Sequence, residues 1–177
     1  MKNKSKRKPN KVGGGALTNQ NGLKFEGRTD LLEAINKHPD YEIKNLNQVV
    51  KNGVVVAYYY EKHSLYKNYL QPNGINYKNI LSKKLLPDGA LLVNNVVFII
   101  EKKYQAGAGS VDEKLQTCDF KKKQYIKLFK PLNIKVEYYY VLNDWFDKPQ
   151  YKDVFDYIES VGCKYFIVDL PLSELNL

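Results

Sequence analysis

A single α/β domain, with a mixed central sheet flanked by helices, is the architecture this sequence predicts, and three observations carry the expectation. The chain has 177 residues, a length at which one domain buries roughly 70% of the surface its unfolded form would expose. From Pro87 onward, runs rich in β-branched and aromatic residues alternate with amphipathic helical segments. Two neighbouring runs, 90–93 and 96–100, are apolar on both faces, as strands covered from both sides are. With 44% hydrophobic and 27% charged residues, the composition excludes disordered, collagenous and repetitive classes.

Taken in order, residues 1–15 read as a basic, flexible arm that ends in Gly13-Gly14-Gly15, and residues 16–177 as the domain. Residues 19–37 carry a helical pattern with Phe25, Leu32 and Ile35 on one side and Thr18 or Asn19 at the cap, weakened by Gly22 and Gly27. The run 54–60, VVVAYYY, has strand composition. Gln71-Pro72-Asn73-Gly74 is a turn, and neither period is sustained over 61–85. Asn94-Asn95 joins the two apolar runs into a hairpin, because asparagine tolerates the positive φ that tight turns require. Ser110 and Glu113 form a capping box that starts a helix at Val111. Along it Val111, Leu115, Cys118, Tyr125 and Phe129 make the apolar stripe, Lys121, Lys123 and Lys127 lie mostly away from it, and Pro131 closes it. A strand at 134–142, a helix at 151–160 ending near Gly162, and a strand at 164–169 complete the chain. The tyrosine triplets at 58–60 and 138–140 alternate within strands and belong mainly to the core.

Composition narrows the chemistry. No apolar run approaches the ~18 residues of a membrane span, and the lysine-rich start has no signal-peptide core, so a soluble, cytoplasmic protein without a membrane partner is expected. Cys118, Cys163, His38 and His63 have no zinc-site spacing, which leaves oxygen to hold any catalytic metal. The net charge is +9, and Lys2, Lys4, Lys6, Arg7, Lys8 and Lys11 supply six of those charges. Such an arm either lies along a polyphosphate or is a solvated tail. The basic balance favours nucleic acid as partner over acidic small molecules or anionic membranes.

Pairing the hairpin outward from Asn94-Asn95 sets Val93 against Val96 and Leu92 against Val97, and carries Asp88 to a position opposite Glu101. Directly opposed side chains have β-carbons about 4.5–5.5 Å apart, close enough for two carboxylates to share one cation. Lys103 leaves the same face as Glu101. Two carboxylates so placed raise each other's proton affinity, and a divalent ion removes the conflict. An all-oxygen site with few protein ligands suits magnesium, which keeps several waters and also binds phosphate. Lys103 can orient an attacking water or offset charge on a phosphorane-like transition state. The chemistry implied is phosphodiester hydrolysis.

At these residues, Pro87-Asp88 followed by Glu101-Lys102-Lys103, the sequence resembles the PD-(D/E)XK nuclease superfamily, restriction endonuclease-like. The element order from Asn19 to Asp169 also resembles its αβββαβ core. The resemblance implies that Asp88 and Glu101 bind Mg2+, with Mn2+ as a substitute, and that Lys103 is catalytic. It implies a further metal contact from an acid on the first helix, for which Glu26 is the candidate; otherwise Glu26 is a solvated helix acid. It also suggests a polar residue near the site on the helix after the hairpin, where Gln116 stands with Lys114 beside it, though both suit a plain surface. The segment 105–110 either brings backbone amides to a phosphate or is a plain connection.

The function expected is a Mg-dependent endodeoxyribonuclease acting on double-stranded DNA, a type II restriction enzyme for which resemblance and symmetry imply a homodimer; a cognate DNA methyltransferase encoded nearby would support restriction, and the sequence leaves its existence open. The alternatives are a junction-resolving nuclease and a DNA-binding protein with the fold but no activity. Expected DNA contacts lie on the arm, at Lys6, Arg7, Lys8 and Lys11. Others lie at Tyr66, Lys67, Asn68, Gln71, Asn73 and Asn76, with Lys114 on the later helix.

Overall fold

The seven strands of the sheet lie side by side in the order in which the chain makes them. The computed structural model describes residues 24–25, 30–107 and 111–177. Asp30 begins helix α1 (Leu31–Lys37): its backbone is extended, and its carboxylate accepts from the amides of Leu32 and Glu33. Such a cap contributes about 1 kcal/mol. The helix expected over 19–37 therefore starts afresh at residue 31, and the caps proposed at Thr18 or Asn19 lie outside the described residues.

Five strands then form an antiparallel meander, β1 (Tyr41–Lys44), β2 (Gln48–Lys51), β3 (Val54–Tyr60), β4 (Gly89–Val93) and β5 (Val96–Lys103). Strands β1 and β2 were not expected. Asn52-Gly53 turns the chain between β2 and β3 with φ of 52° and 78°, and Asn94 turns it between β4 and β5 with φ of 50°. Strands β6 (Lys135–Leu142) and β7 (Lys164–Ile167) are added in parallel, which requires crossovers. Helices α2 (Val111–Leu115) and α3 (Cys118–Phe129) make the first, and α4 (Lys152–Ser160) the second.

The single helix expected from Val111 to Phe129 is thus two. Thr117 interrupts it, with its hydroxyl donating to the carbonyl of Lys114 at 2.7 Å, a local bond that competes with helical continuity. Ser110 of the capping box lies outside the described residues. The last strand stops at Ile167 rather than Asp169, because Val168 takes a φ of 67°.

Alternation places both faces of the sheet in apolar surroundings. On one face Ala90, Leu92, Val97, Ile99, Tyr138 and Tyr140 pack with Leu128 and Phe129 of α3 and Ile158 of α4. On the other, Leu91, Val93, Phe98, Ile100 and Val141 pack with Leu31 and Ile35 of α1. The hairpin β4–β5 is a covered, central pair, as its composition predicts. Among the described residues no helix is long and apolar enough to cross a membrane.

The Tyr125 hydroxyl is buried without a hydrogen-bond partner, and burial followed by the charge of Glu101 pushes its pKa far above that of a free tyrosine. A buried, unpartnered hydroxyl is unfavourable by about 1–3 kcal/mol. Tyr125→Phe is accordingly expected to raise the urea midpoint of unfolding, and a lowered midpoint would reveal a partner for that oxygen.

Candidate active site

The strand directions bring four polar side chains to one end of the sheet. Strand β5 leaves where β4 enters, because the two are antiparallel, and β6 leaves there too, because it is parallel to β5. Helix α3 must return the chain to the start of β6, so its first turn also stands at this end. The observed register runs from Val93 opposite Val96 to Gly89 opposite Ile100, as the sequence predicts. One residue further out, Asp88 reaches across and its Oδ2 accepts the main-chain N–H of Lys102 at 2.8 Å.

Asp88, Glu101 and Lys103 meet. The Lys103 ammonium lies 3.0 Å from Glu101 Oε2, 2.9 Å from the Lys102 carbonyl oxygen and 3.8 Å from Asp88 Oδ2. Three oxygens from two strands therefore surround one cationic nitrogen. The Glu101 carboxylate is the most buried of the group at 8% exposure, whereas Asp88 and Lys103 keep 23% and 19%. The site is thus closed beneath Glu101 and open beside Asp88.

A second ammonium was not anticipated. Lys121, in the first turns of α3, places its Nζ 3.2 Å from the same Glu101 Oε2. It does not lie away from the apolar stripe: with Cys118, Tyr125 and Leu128 it follows the helical spacing of one buried face. A lysine at a stripe position was the readable signal. The repulsion expected between the two acids is offset by this pair of lysines, which matches two negative charges with two positive ones. The Tyr125 and Tyr138 hydroxyls are both buried, and the Glu101 charge adds to burial in pushing both pKa values up.

Below Lys103 the strand end is fastened by Asn143. Its Oδ1 accepts the Gln105 amide and its Nδ2 donates to the Gln105 carbonyl, each at 2.9 Å. This side chain continues the β5–β6 ladder by one step after the backbone pairing has stopped. It fixes the segment immediately after Lys103, a role that no sequence motif announced.

The remaining expected residues are placed unevenly. Glu26, Lys6, Arg7, Lys8 and Lys11 lie outside the described residues. Gln116 is exposed in the turn between α2 and α3 and is not among the side chains that meet at Glu101. Lys114 is also exposed, and its carbonyl accepts from the Tyr140 hydroxyl at 3.3 Å, which sets the end of α2 over the residue paired with Glu101. Lys67, Asn68, Gln71, Asn73 and Asn76 are exposed or partly so. Tyr66 is not available for a base: it is 1% exposed, with its hydroxyl donating to the Leu85 carbonyl at 2.6 Å. Within that segment the helical pattern and the loop pattern are interleaved, which hid its inward face.

The chain matches no family model and no curated protein. Among the described residues no third acid, histidine or cysteine joins Asp88 and Glu101 in a metal-sized cluster. Asp88 and Glu101 are hard oxygen donors at a mouth that is open beside Asp88, and an ion that retains several waters needs few ligands from the protein. The residues fit magnesium.

Proposed function

We propose that this protein is a magnesium-dependent endodeoxyribonuclease that hydrolyses phosphodiester bonds of double-stranded DNA. The observation that carries the reading is the convergence of Asp88, Glu101 and Lys103 at the mouth of an apolar hairpin, in the pairing the sequence predicts. Acids at the edge of a sheet are common, but two of them directed at one ammonium beside an open face serve a solubility role poorly.

In this reading Asp88 and Glu101 would hold Mg2+, and the ion would supply Lewis-acid polarisation of the scissile phosphate and a water nucleophile at neutral pH. Lys103 touches the reacting groups: its ammonium orients the attacking water and offsets negative charge as the phosphorus becomes five-coordinate. Buried Glu101 keeps a fixed position because the strand beneath it is paired on both sides, to β4 and to β6. Such pre-positioning is what makes electrostatic stabilisation effective.

The reading extends to a type II restriction enzyme acting as a homodimer, with one site for each strand, and a DNA methyltransferase as its protective partner. The test is incubation of the full chain with a long, sequence-diverse duplex and Mg2+, with a four-way junction in parallel. Discrete duplex fragments are the expected result. Cutting of the junction alone would replace restriction by junction resolution, and binding without cutting of either would overturn the enzyme reading.

The basic arm provides an independent check on the DNA contact. If its lysines neutralise phosphates, deleting residues 1–11 lowers affinity and flattens the dependence of binding on salt, the logarithmic slope falling by about 0.9 for each phosphate no longer neutralised. An unchanged slope assigns the arm to solvent.

A further inference from the structure

Lys121 stands on α3, an element that holds none of Asp88, Glu101 and Lys103, and directs its ammonium at an oxygen that is already paired. Glu101 Oε2 receives Lys103 at 3.0 Å and Lys121 at 3.2 Å. The two lysines are held differently. Lys103 is also bonded to the Lys102 carbonyl at 2.9 Å and lies 3.8 Å from Asp88. Among the described residues, Glu101 is the one ionic partner of Lys121. The Lys121 side chain is 27% exposed, the most open of the four, and its long flexible stem can carry the charge outward.

A divalent ion that takes Glu101 brings two positive charges to a place that already holds two ammonium groups. Repulsion then acts on both, and it moves the one with fewer other bonds. We propose that Lys121 is a built-in counter-cation, which a divalent metal displaces from Glu101 and which then takes a phosphate oxygen of the DNA, so that metal and DNA bind cooperatively. No proton changes hands; one salt bridge is exchanged for another. The identity of the phosphate ligand rests on the nuclease reading above.

Without DNA, the metal must separate Lys121 from the carboxylate it holds. With DNA present a phosphate replaces that carboxylate, and the penalty is offset. By reciprocity the metal tightens DNA binding by the same factor as DNA tightens metal binding.

The sign of the effect separates this role from a structural one. If Lys121 merely holds Glu101 in place, removing it loosens the site and weakens metal binding; if it competes with the metal, removing it strengthens metal binding. The experiment is calorimetric titration of the full chain with Ca2+, alone and then in the presence of a sequence-diverse duplex. It is run for the wild type, Lys121→Ala, Lys121→Arg and Asp88→Asn. Lys121→Ala is expected to bind Ca2+ alone about fivefold more tightly or better, and to lose most of the tightening that duplex confers on the wild type. Lys121→Arg, which keeps the charge, is expected to keep that tightening. Equal or weaker Ca2+ affinity in Lys121→Ala, with Asp88→Asn abolishing binding, overturns this inference and leaves the metal site standing. Absence of Ca2+ binding by the wild type, or undiminished binding by Asp88→Asn, overturns the nuclease reading as well.

Discussion

Glu101→Ala is expected to abolish DNA cleavage and Mg2+ binding together, with a loss of several orders of magnitude in rate. The residue is the point on which the site converges. Its Oε2 is the shared partner of Lys103 and Lys121, and it is the most buried acid among the site residues. Removing it leaves two ammonium groups facing each other with one distant carboxylate, Asp88, at 3.8 Å from the nearer. Both lysines are part-exposed and turn to water, so the fold survives while the cation cradle does not. Glu101→Gln sharpens the result, since it keeps the shape and one acceptor oxygen but removes the charge. Retention of cleavage in Glu101→Gln would show that this carboxylate holds no metal. Lys103→Ala is expected to differ in kind, lowering the rate while leaving most of the metal affinity in place.

The second large effect lies one residue from Asp88. Gly89 begins β4 directly over the ring of Tyr59, and a Cβ there would stand 2.6 Å from the Tyr59 hydroxyl, 2.9 Å from Cε2 and 3.1 Å from Cζ. The ring cannot yield easily: Tyr59 is 3% exposed, and its hydroxyl donates to Glu61 at 3.1 Å. Gly89→Ala is therefore expected to reduce stability by about 1–3 kcal/mol through overpacking. Because Gly89 separates Asp88 from the paired strand, the backbone shift that relieves the clash also moves that carboxylate, and cleavage should fall further than stability alone explains. Adding Tyr59→Phe removes the shortest contact and leaves the next two, so partial rescue is the expected outcome. Unchanged stability and activity in Gly89→Ala would contradict the packing described here.

Much of the site is legible in the residues themselves. The hairpin register followed from two apolar runs and an asparagine turn, and it placed Asp88, Glu101 and Lys103 at one mouth because a period of two leaves no freedom about which side chains share a face. Contacts made across long sequence separations were not readable in that way. Lys121 reaches Glu101 only because a crossover helix returns along the sheet, and its position in an apolar stripe was the one local hint. Asn143 meets Gln105 across 38 residues and belongs to no motif. Strands β1 and β2 escaped because each is four residues long, and the turn between them uses Asn45 and Leu46 at positive φ, an unusual conformation for leucine. Asn52-Gly53 was a clear hairpin signal beside them, legible once the short flanking runs are taken as strands. The break at Thr117 depends on a hydroxyl choosing a backbone carbonyl, which apolar periodicity does not register.

The proposed function turns on whether Asp88 and Glu101 hold one divalent cation. Crystals of the full chain soaked in Mn2+, with diffraction collected at the manganese edge, locate the ion without recourse to activity. The account predicts an anomalous peak within coordination distance of Asp88 and Glu101, with the Lys121 ammonium moved off Glu101. No peak at that mouth, or a peak elsewhere with both carboxylates still turned to their lysines, would contradict it.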